Sequence, residues 1–519
     1  MDNDSAHHAN IALRMYLTGD YVNLIDNGND YLDKPHLHFW LCALSYKLFG
    51  VTTFAYKFPS LLFSIGGVYA VYRLGKILFN AETGKLAALI IASSFSFVLA
   101  NNDVRMDAIL TAAVAFASWQ GVAFIENKKT GNAIGLALGL AIGFCIKGHI
   151  AVLIPAIGLF FYILFKKEWK LFLNWKWLVV LFCFAIFISP VVYCFYLQYN
   201  LHPEKIVRGK NQIDGVGFIL FNQSIDRFSG AMGSDAKNDY FFFIHSFLWA
   251  FAPWSIICFW AIADRVKNGF KGKNEWFTVS TILVVAFLIS ISGFKLPHYL
   301  NIVFPAASLL VASWLMVNVK REKVIFRIQL LVVTALLLLG GIINFWLFPL
   351  KNYFLIPIVI LLLAAVFHFI KTETISLLKK AICISVFSIS LFFFMFNSNY
   401  YPQLLKYQSG NTLAEKKLQL AIDRDVYFWK ENFSSSFVFY SASLRKQFDS
   451  SVFYNKKTVW LLFDETERKD ILQSGYSIVQ ELNSVDYEIT RFSFQFYIPS
   501  SREKSLKKTV LAQITLKAP

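Results

Sequence analysis

The run Trp177-Leu-Val-Val-Leu-Phe-Cys-Phe-Ala-Ile-Phe-Ile-Ser-Pro-Val-Val-Tyr-Cys-Phe-Tyr-Leu-Gln198 decides the class of this chain. It carries no charged residue, and as a helix rising about 1.5 Å per residue it is long enough to cross a hydrocarbon layer about 30 Å thick. Backbone in that layer must satisfy its own N–H and C=O groups, which a helix does. Comparable apolar runs lie at about 55–72, 86–100, 106–125, 131–146, 149–165, 241–263, 276–293, 297–317, 325–348, 353–370 and 381–396. Twelve membrane spans are therefore expected, the fourth and fifth separated only by Lys147-Gly148-His149. The composition agrees: 56% of the 519 residues are hydrophobic and 54 are Phe, against about 45–50% apolar in soluble domains. The fold class expected is an all-α polytopic membrane protein.

Outward from each run, the charges show a pattern. Lys and Arg concentrate in alternate loops: Arg73 to Lys85, Lys128–Lys129, Lys166 to Lys176, Arg265 to Lys273, Lys320 to Arg327 and Lys371 to Lys380. Basic loops stay on the cytoplasmic side, which puts residues 1–50 and the tail beyond the last span on the outer face of the cytoplasmic membrane. The formal net charge of +17 is thereby explained by topology, and no nucleic-acid partner is expected. Cys42, Cys145, Cys183, Cys194, Cys258 and Cys383 sit in apolar segments without metal-type spacing and read as packing residues.

Three regions follow: an external amphipathic region 1–50, a transmembrane bundle 51–397 and an external soluble domain 398–519. Two interfacial helices are expected in the first, Ala6–Leu17 and Leu37–Phe49. His7 and His8 are adjacent, do not share a helix face, and read as solvated. The chain opens with acids and histidines in place of the basic start of a signal peptide. The third region reads as a small α/β domain with strands at Ser436–Tyr440, Thr458–Phe463, Tyr476–Leu482 and Phe492–Tyr497 and a helix near Glu465–Gln473.

Ionisable residues at membrane depth are costly and tend to line a working cavity. The external loops carry Asp103, Arg105 and Asp107, then Lys147, then Lys295-Leu-Pro-His298-Tyr299, on the same side as Asp4, Asp33 and Lys34. Cations clamp phosphate, and a carboxylate can take a proton from a hydroxyl. A lipid-linked phosphate is the expected ligand. Asp2 and Asp4 also suit helix caps.

The ordered motifs resemble a family. Asn3-Asp-Ser-Ala-His-His-Ala-Asn-Ile-Ala, Thr18-Gly-Asp, Tyr31-Leu-Asp-Lys-Pro, Phe49-Gly, Arg105-Met-Asp107, Gly143-Phe-Cys-Ile-Lys-Gly148, Ala252-Pro-Trp254 and Lys295-Leu-Pro-His-Tyr299 are similar to bacterial membrane glycosyltransferases of the C-type fold. These are the aminoarabinose transferase of lipid A modification and its protein mannosyltransferase relatives. The resemblance implies transfer of a sugar from a polyprenyl-phosphate donor to a hydroxyl or phosphate of a lipid, protein or glycan. It implies Asp4 as the general base or as the group that orients the acceptor nucleophile, Asp107 as a second acid, and Tyr31, Lys34, Lys295 and Tyr299 around the donor phosphate; Asp33, Arg105, Lys147 and His298 join the substrate-binding set. Asp33 replaces a Glu that can ligate a divalent metal, so it is the candidate metal ligand; no organic cofactor is expected. His36 stands where the family has a second proline. The resemblance also implies one more span ahead of Asp4, encoded by an apolar stretch of about 20 residues. The competing reading is a transporter or flippase for a lipid-linked sugar, which predicts internal repeats and charges near the midplane.

Overall fold

The computed structural model describes residues 3–104, 106–223, 239–268, 275–293, 295–422, 425–430, 434–489 and 493–517, with backbone alone for Asn3 and Asp4. Arg105 and the loop charges Arg227, Lys237, Lys271 and Lys273 lie outside the described residues.

The chain begins with α1 (Asn3–Thr18), a two-stranded hairpin β1–β2 (Ile25–Asp26 and Asn29–Asp30) and α2 (Leu37–Phe49). The membrane helices α3 (Thr53–Leu78), α4 (Ala81–Ala92), α5 (Phe95–Asn102), α6 (Asp107–Asn127), α7 (Thr130–Lys147), α8 (Ile150–Lys166) and α9 (Lys176–Phe195) follow. Among the described residues eight helices are long and apolar enough to cross a membrane, and α4 with α5, bent by 53°, makes a ninth. Three of the twelve expected runs, 149–165, 241–263 and 276–293, are helical but are not among these nine. Ile150–Lys166 and Glu275–Ile291 are apolar but shorter. The run at 241–263 is two helices, Phe242–Ala250 and Ser255–Asn268. Its break braces the one between α4 and α5: Phe95 N–H donates to the Ala252 carbonyl at 2.9 Å, and Trp254 Nε1 donates to Ser93 Oγ at 3.0 Å.

Small residues set the packing order. A Cβ added at Gly67 would lie 2.8 Å from Ala112 Cβ, and one at Gly139 would lie 2.8 Å from the Ala117 backbone N. Through these contacts α3 and α7 clasp the Ala-rich α6. Close approach of this kind stands in for the hydrophobic drive that lipid removes. The buried α6 thus becomes the axis of the bundle.

The C-terminal domain has a five-stranded sheet ordered β4-β3-β5-β7-β6. Its strands are β3 (Val426–Phe428), β4 (Lys446–Gln447), β5 (Thr458–Asp464), β6 (Tyr476–Asp486) and β7 (Lys507–Leu516). β3 runs parallel to β4 and β5, while β7 is antiparallel to both β5 and β6. The strands expected at 458–463 and 476–482 form, as does the helical turn at 465–473. The other two expected strands are helical: Ser435–Tyr440, where Ser434 caps by accepting from Phe437 N–H, and Phe494–Tyr497. A cap outweighed alternation at the first. The last membrane helix continues to Tyr407, past the expected boundary at 397.

Candidate functional site

The site is assembled from six chain segments, and the first packs into the protein. α1 buries Ala6, Ala9, Ile11, Ala12, Leu13 and Met15 inside the protein, while His7 and Arg14 stay half-buried and Thr18 exposed on one side. α1 packs against α2, where Tyr46 O–H donates to the Ala9 carbonyl at 3.3 Å, and against the C-terminal domain, where Asn10 Nδ2 donates to the Ser435 carbonyl at 2.9 Å. His8 is buried as well, against the solvated expectation. Burial, helped by the nearby His7, His38 and Lys34, pushes its pKa well below the usual imidazole value.

Behind α1 the chain is locked in place. Asp20 of the Thr-Gly-Asp motif accepts from Val22 and Asn23 N–H at 3.2 and 3.0 Å and pairs with Arg14 at 3.2 Å. The hairpin turns on Asn27-Gly28, both at positive φ (51° and 88°), the conformation a tight hairpin turn requires. Gln198, at the end of the span that opened the sequence reading, accepts from Leu24 N–H and donates to the Leu24 carbonyl, both at 2.9 Å; it donates to Asp30 at 2.8 Å. Lys205 joins Asp30 at 3.0 Å.

The locked hairpin presents Tyr31-Leu-Asp-Lys. Tyr31 O–H lies 3.5 Å from His8 Nε2. Asp33 is ion-paired with Lys34 and sits 3.9 Å from Arg208. Gln223 Nε2 donates to the Asp33 carbonyl at 2.6 Å, and its Oε1 would lie only 2.6 Å from a Cβ on Gly148, so Gln223 joins this loop to the α7 terminus. Gly148 takes φ +77° at that close approach.

The centre is Asp107. It starts α6 after Met106, which is in the left-handed region, and it is 1% exposed. Exposed N–H groups and the positive dipole end at a helix start favour an anion there. Lys147, the last residue of α7, pairs with its Oδ1 at 2.7 Å, and His298 Nε2 lies 3.8 Å from its Oδ2. Lys147 also stands 4.8 Å over the Tyr299 ring. Lys295 is buried, donates to the Asp239 carbonyl at 2.9 Å and lies over Tyr240 at 5.2 Å. Asp103 is bonded by Ser5 of α1.

Asp107, Lys147, His298 and Tyr299 therefore form one cluster, and Tyr31, Asp33 and Lys34 a second, joined through Gln223. The side chain of Asp4 and all of Arg105 lie outside the described residues. Asp33 has Lys34 and Arg208 beside it. Among the described residues no group of three or more His, Cys, Asp or Glu side chains could hold a metal ion. Gln198 and Gln223 went unread in the sequence, and Arg208 was read only as a charge of the long external loop; an uncharged Gln at the end of a span gives no local signal, and its partners lie about 170–190 residues away.

Residues 33–193 match the family model described as dolichyl-phosphate-mannose-protein mannosyltransferase. The whole chain superimposes on the crystal structure of ArnT from Cupriavidus metallidurans bound to undecaprenyl phosphate, with a TM-score of 0.72 at 14% identity, covering 98% of this chain and 93% of that one. The chain has the C-type glycosyltransferase fold. In sequence, this C-type chain is 24% identical over 320 residues to the undecaprenyl phosphate-alpha-4-amino-4-deoxy-L-arabinose arabinosyl transferase of Edwardsiella ictaluri, covering 60% of this chain and 54% of that one. It is 23% identical over 363 residues to an Aquifex aeolicus protein of unassigned activity, covering 69% and 68%. The chain thus spans about half the length of the aminoarabinose transferases it matches. Asp107, Lys147, Gln198, His298 and Tyr299 all fall at the ends of helices of the C-type bundle.

Proposed function

We propose that this chain is a membrane glycosyltransferase that moves a sugar from a polyprenyl-phosphate donor to an acceptor hydroxyl or phosphate at the outer face of the cytoplasmic membrane. The observation that carries the reading is the buried Asp107–Lys147 pair facing His298 and Tyr299, beside the Asp33–Lys34–Arg208 group. Relatives named for an activity are named as transferases, which favours transfer over transport of the intact lipid-linked sugar.

The chemistry needs little. The acceptor oxygen attacks the anomeric carbon, the bond from that carbon to the donor's phosphate oxygen breaks, and the lipid phosphate leaves with the electron pair. Attack opposite the leaving group inverts the anomeric configuration. Lys34, Arg208 and Lys295 bring positive charge to the departing phosphate; preorganised charge of this kind stabilises a transition state without reorganising water. The acceptor proton passes to a carboxylate, for which Asp4 at the start of α1 is the candidate base, and Asp107 holds Lys147 and the loops in register. No step is routed through a metal.

The test uses the full chain in vesicles with a panel of undecaprenyl-phosphate sugars and lipid, peptide and glycan acceptors. Transfer from at least one donor supports the reading. Movement of the intact donor across the vesicle without transfer would replace it by a transporter.

A further inference from the structure

The sheet of the C-terminal domain has one face whose rows change character along the strands. In one row β5, β7 and β6 place Leu462, Leu511 and Leu482 side by side. The helix Ser409–Gln419 covers this row with Leu413 and Ala414, closing a small core. Two residues along each strand, on the same face, the next row is Trp460, Gln513 and Gln480. The row after it includes Thr458 paired with Thr515. The covering helix ends at Leu420 before it reaches them.

A cleft of about 490 Å³ is left over this uncovered row. Its floor is Trp460, Gln513, Gln480 and Thr458; Leu420 to Ile422, Asp425 and Lys456 wall it. Trp460 packs with the leucine core below while lining the cleft. A β-bulge between Ile478 and Gln480 resets the register and brings Gln480 opposite Gln513; bulges re-aim side chains in this way. Gln513 spends one amide N–H on Thr458 at 3.0 Å, which leaves its carbonyl oxygen and second N–H for a ligand. On the rim Asp425 pairs with Lys456 at 2.9 Å and also with Lys446.

We propose that this cleft is a binding site for a neutral saccharide, separate from the transfer site. Two planar amides in one row offer donors and acceptors to sugar hydroxyls, and the exposed edge of the Trp460 indole offers an apolar contact beside them. A peptide strand has no place there, because the amide row is centred on β7, which is paired on both edges. A charged ligand would have to compete with the Asp425–Lys456 pair at the rim. The row can hold a glycan near the membrane surface while the bundle acts on it or on a neighbouring chain. The inference rests on the sheet's register and stands independently of the transferase reading.

The test is saturation-transfer NMR on the full chain in lipid nanodiscs, free of sugar-headed detergent, with mannotriose, maltotriose and chitotriose as probes. At least one trisaccharide should bind saturably with a Kd on the order of 1 mM or tighter. Gln480→Ala, an exposed change that leaves the leucine core intact, and Gln513→Ala should each weaken it by about tenfold or more, as expected when hydrogen bonds to the ligand are lost. Lys34→Ala should bind the same trisaccharide as well as the parent. No saturable binding of any probe, binding untouched by both Gln substitutions, or binding lost in Lys34→Ala would each overturn the assignment.

Discussion

Two parts of the membrane bundle are built from different residues. In α6 and in the span Pro297–Val317, 89% of the apolar window is buried inside the protein; in Val319–Leu347 and Tyr353–Lys371 it is 11% and 6%. The buried pair is rich in Ala and Ser, whereas the exposed pair is rich in Leu, Ile and Phe. Asp107 begins one buried helix and His298 and Tyr299 lie at the start of the other, while the exposed pair supplies none of the proposed site residues. Burial in lipid asks only for apolar side chains. Burial in protein asks for small ones that let backbones approach, and it is the resulting rigid centre that can hold charges in place.

The comparison is broken most severely by removing Lys147. Lys147→Ala leaves Asp107 buried beside a missing partner and should cost about 3–5 kcal/mol of stability, the usual effect of stranding one half of a buried pair; thermal unfolding of the purified protein in nanodiscs reads it. The same substitution at Lys371, an exposed residue at the end of the lipid-facing pair, should leave the unfolding midpoint unchanged.

Acid should act on the region around α2. Burial pushes His36 down to about 4 and His38 to about 3, and it also lowers His8. All three folded values lie below the unfolded value near 6.5, so between these limits the unfolded chain binds more protons. Stability is then fully present above about pH 6.5 and falls as pH drops toward 4, by about 3 kcal/mol for His36 alone. Unfolding midpoints measured from pH 7.5 to 4 should decline through that window, and His36→Phe should flatten the decline. A profile level from pH 7 to 4 would contradict the buried placement of these rings.

A smaller effect is expected from overpacking. Gly139→Leu pushes a side chain into the Ala117 backbone and should cost about 1–3 kcal/mol, seen as a lower unfolding midpoint. Leu361, 68% exposed on the lipid-facing pair, should tolerate Ala within about 0.5 kcal/mol. Equal effects at the two positions would erase the distinction between the two parts.

The spans were legible wherever apolar length alone decides, as in Trp177–Gln198, and the motif set led to Asp107, Lys147, His298 and Tyr299 because charge at membrane depth is conspicuous. Hydropathy registers apolar residues and not breaks: the bends at Ser93–Ser94 and before Trp254 depend on a hydrogen bond between residues 161 positions apart. α1 read as a surface helix because its covering partner, Ser435–Tyr440, lies more than 400 residues away. In the tail, Ser436–Tyr440 alternates like a strand, but Ser434 caps it as a helix. Gln223 and Gln198 could not be found from local pattern, since uncharged amides mark no site until the chain has brought their partners to them.

The central claim is that the cluster around Asp107 serves sugar transfer. The direct measurement is donor binding and transfer side by side for the parent, Asp4→Asn and Asp107→Asn, each with undecaprenyl-phosphate sugar in nanodiscs. Asn is nearly isosteric and keeps the shape at either position. Asp4→Asn should lose about 10²–10⁴-fold in transfer while retaining donor binding, the range for removing a general base. Asp107→Asn should lower transfer as well, because Lys147 then lacks the charge that holds it over Tyr299. Parent-like transfer in both variants, with the donor bound as tightly, would contradict the account.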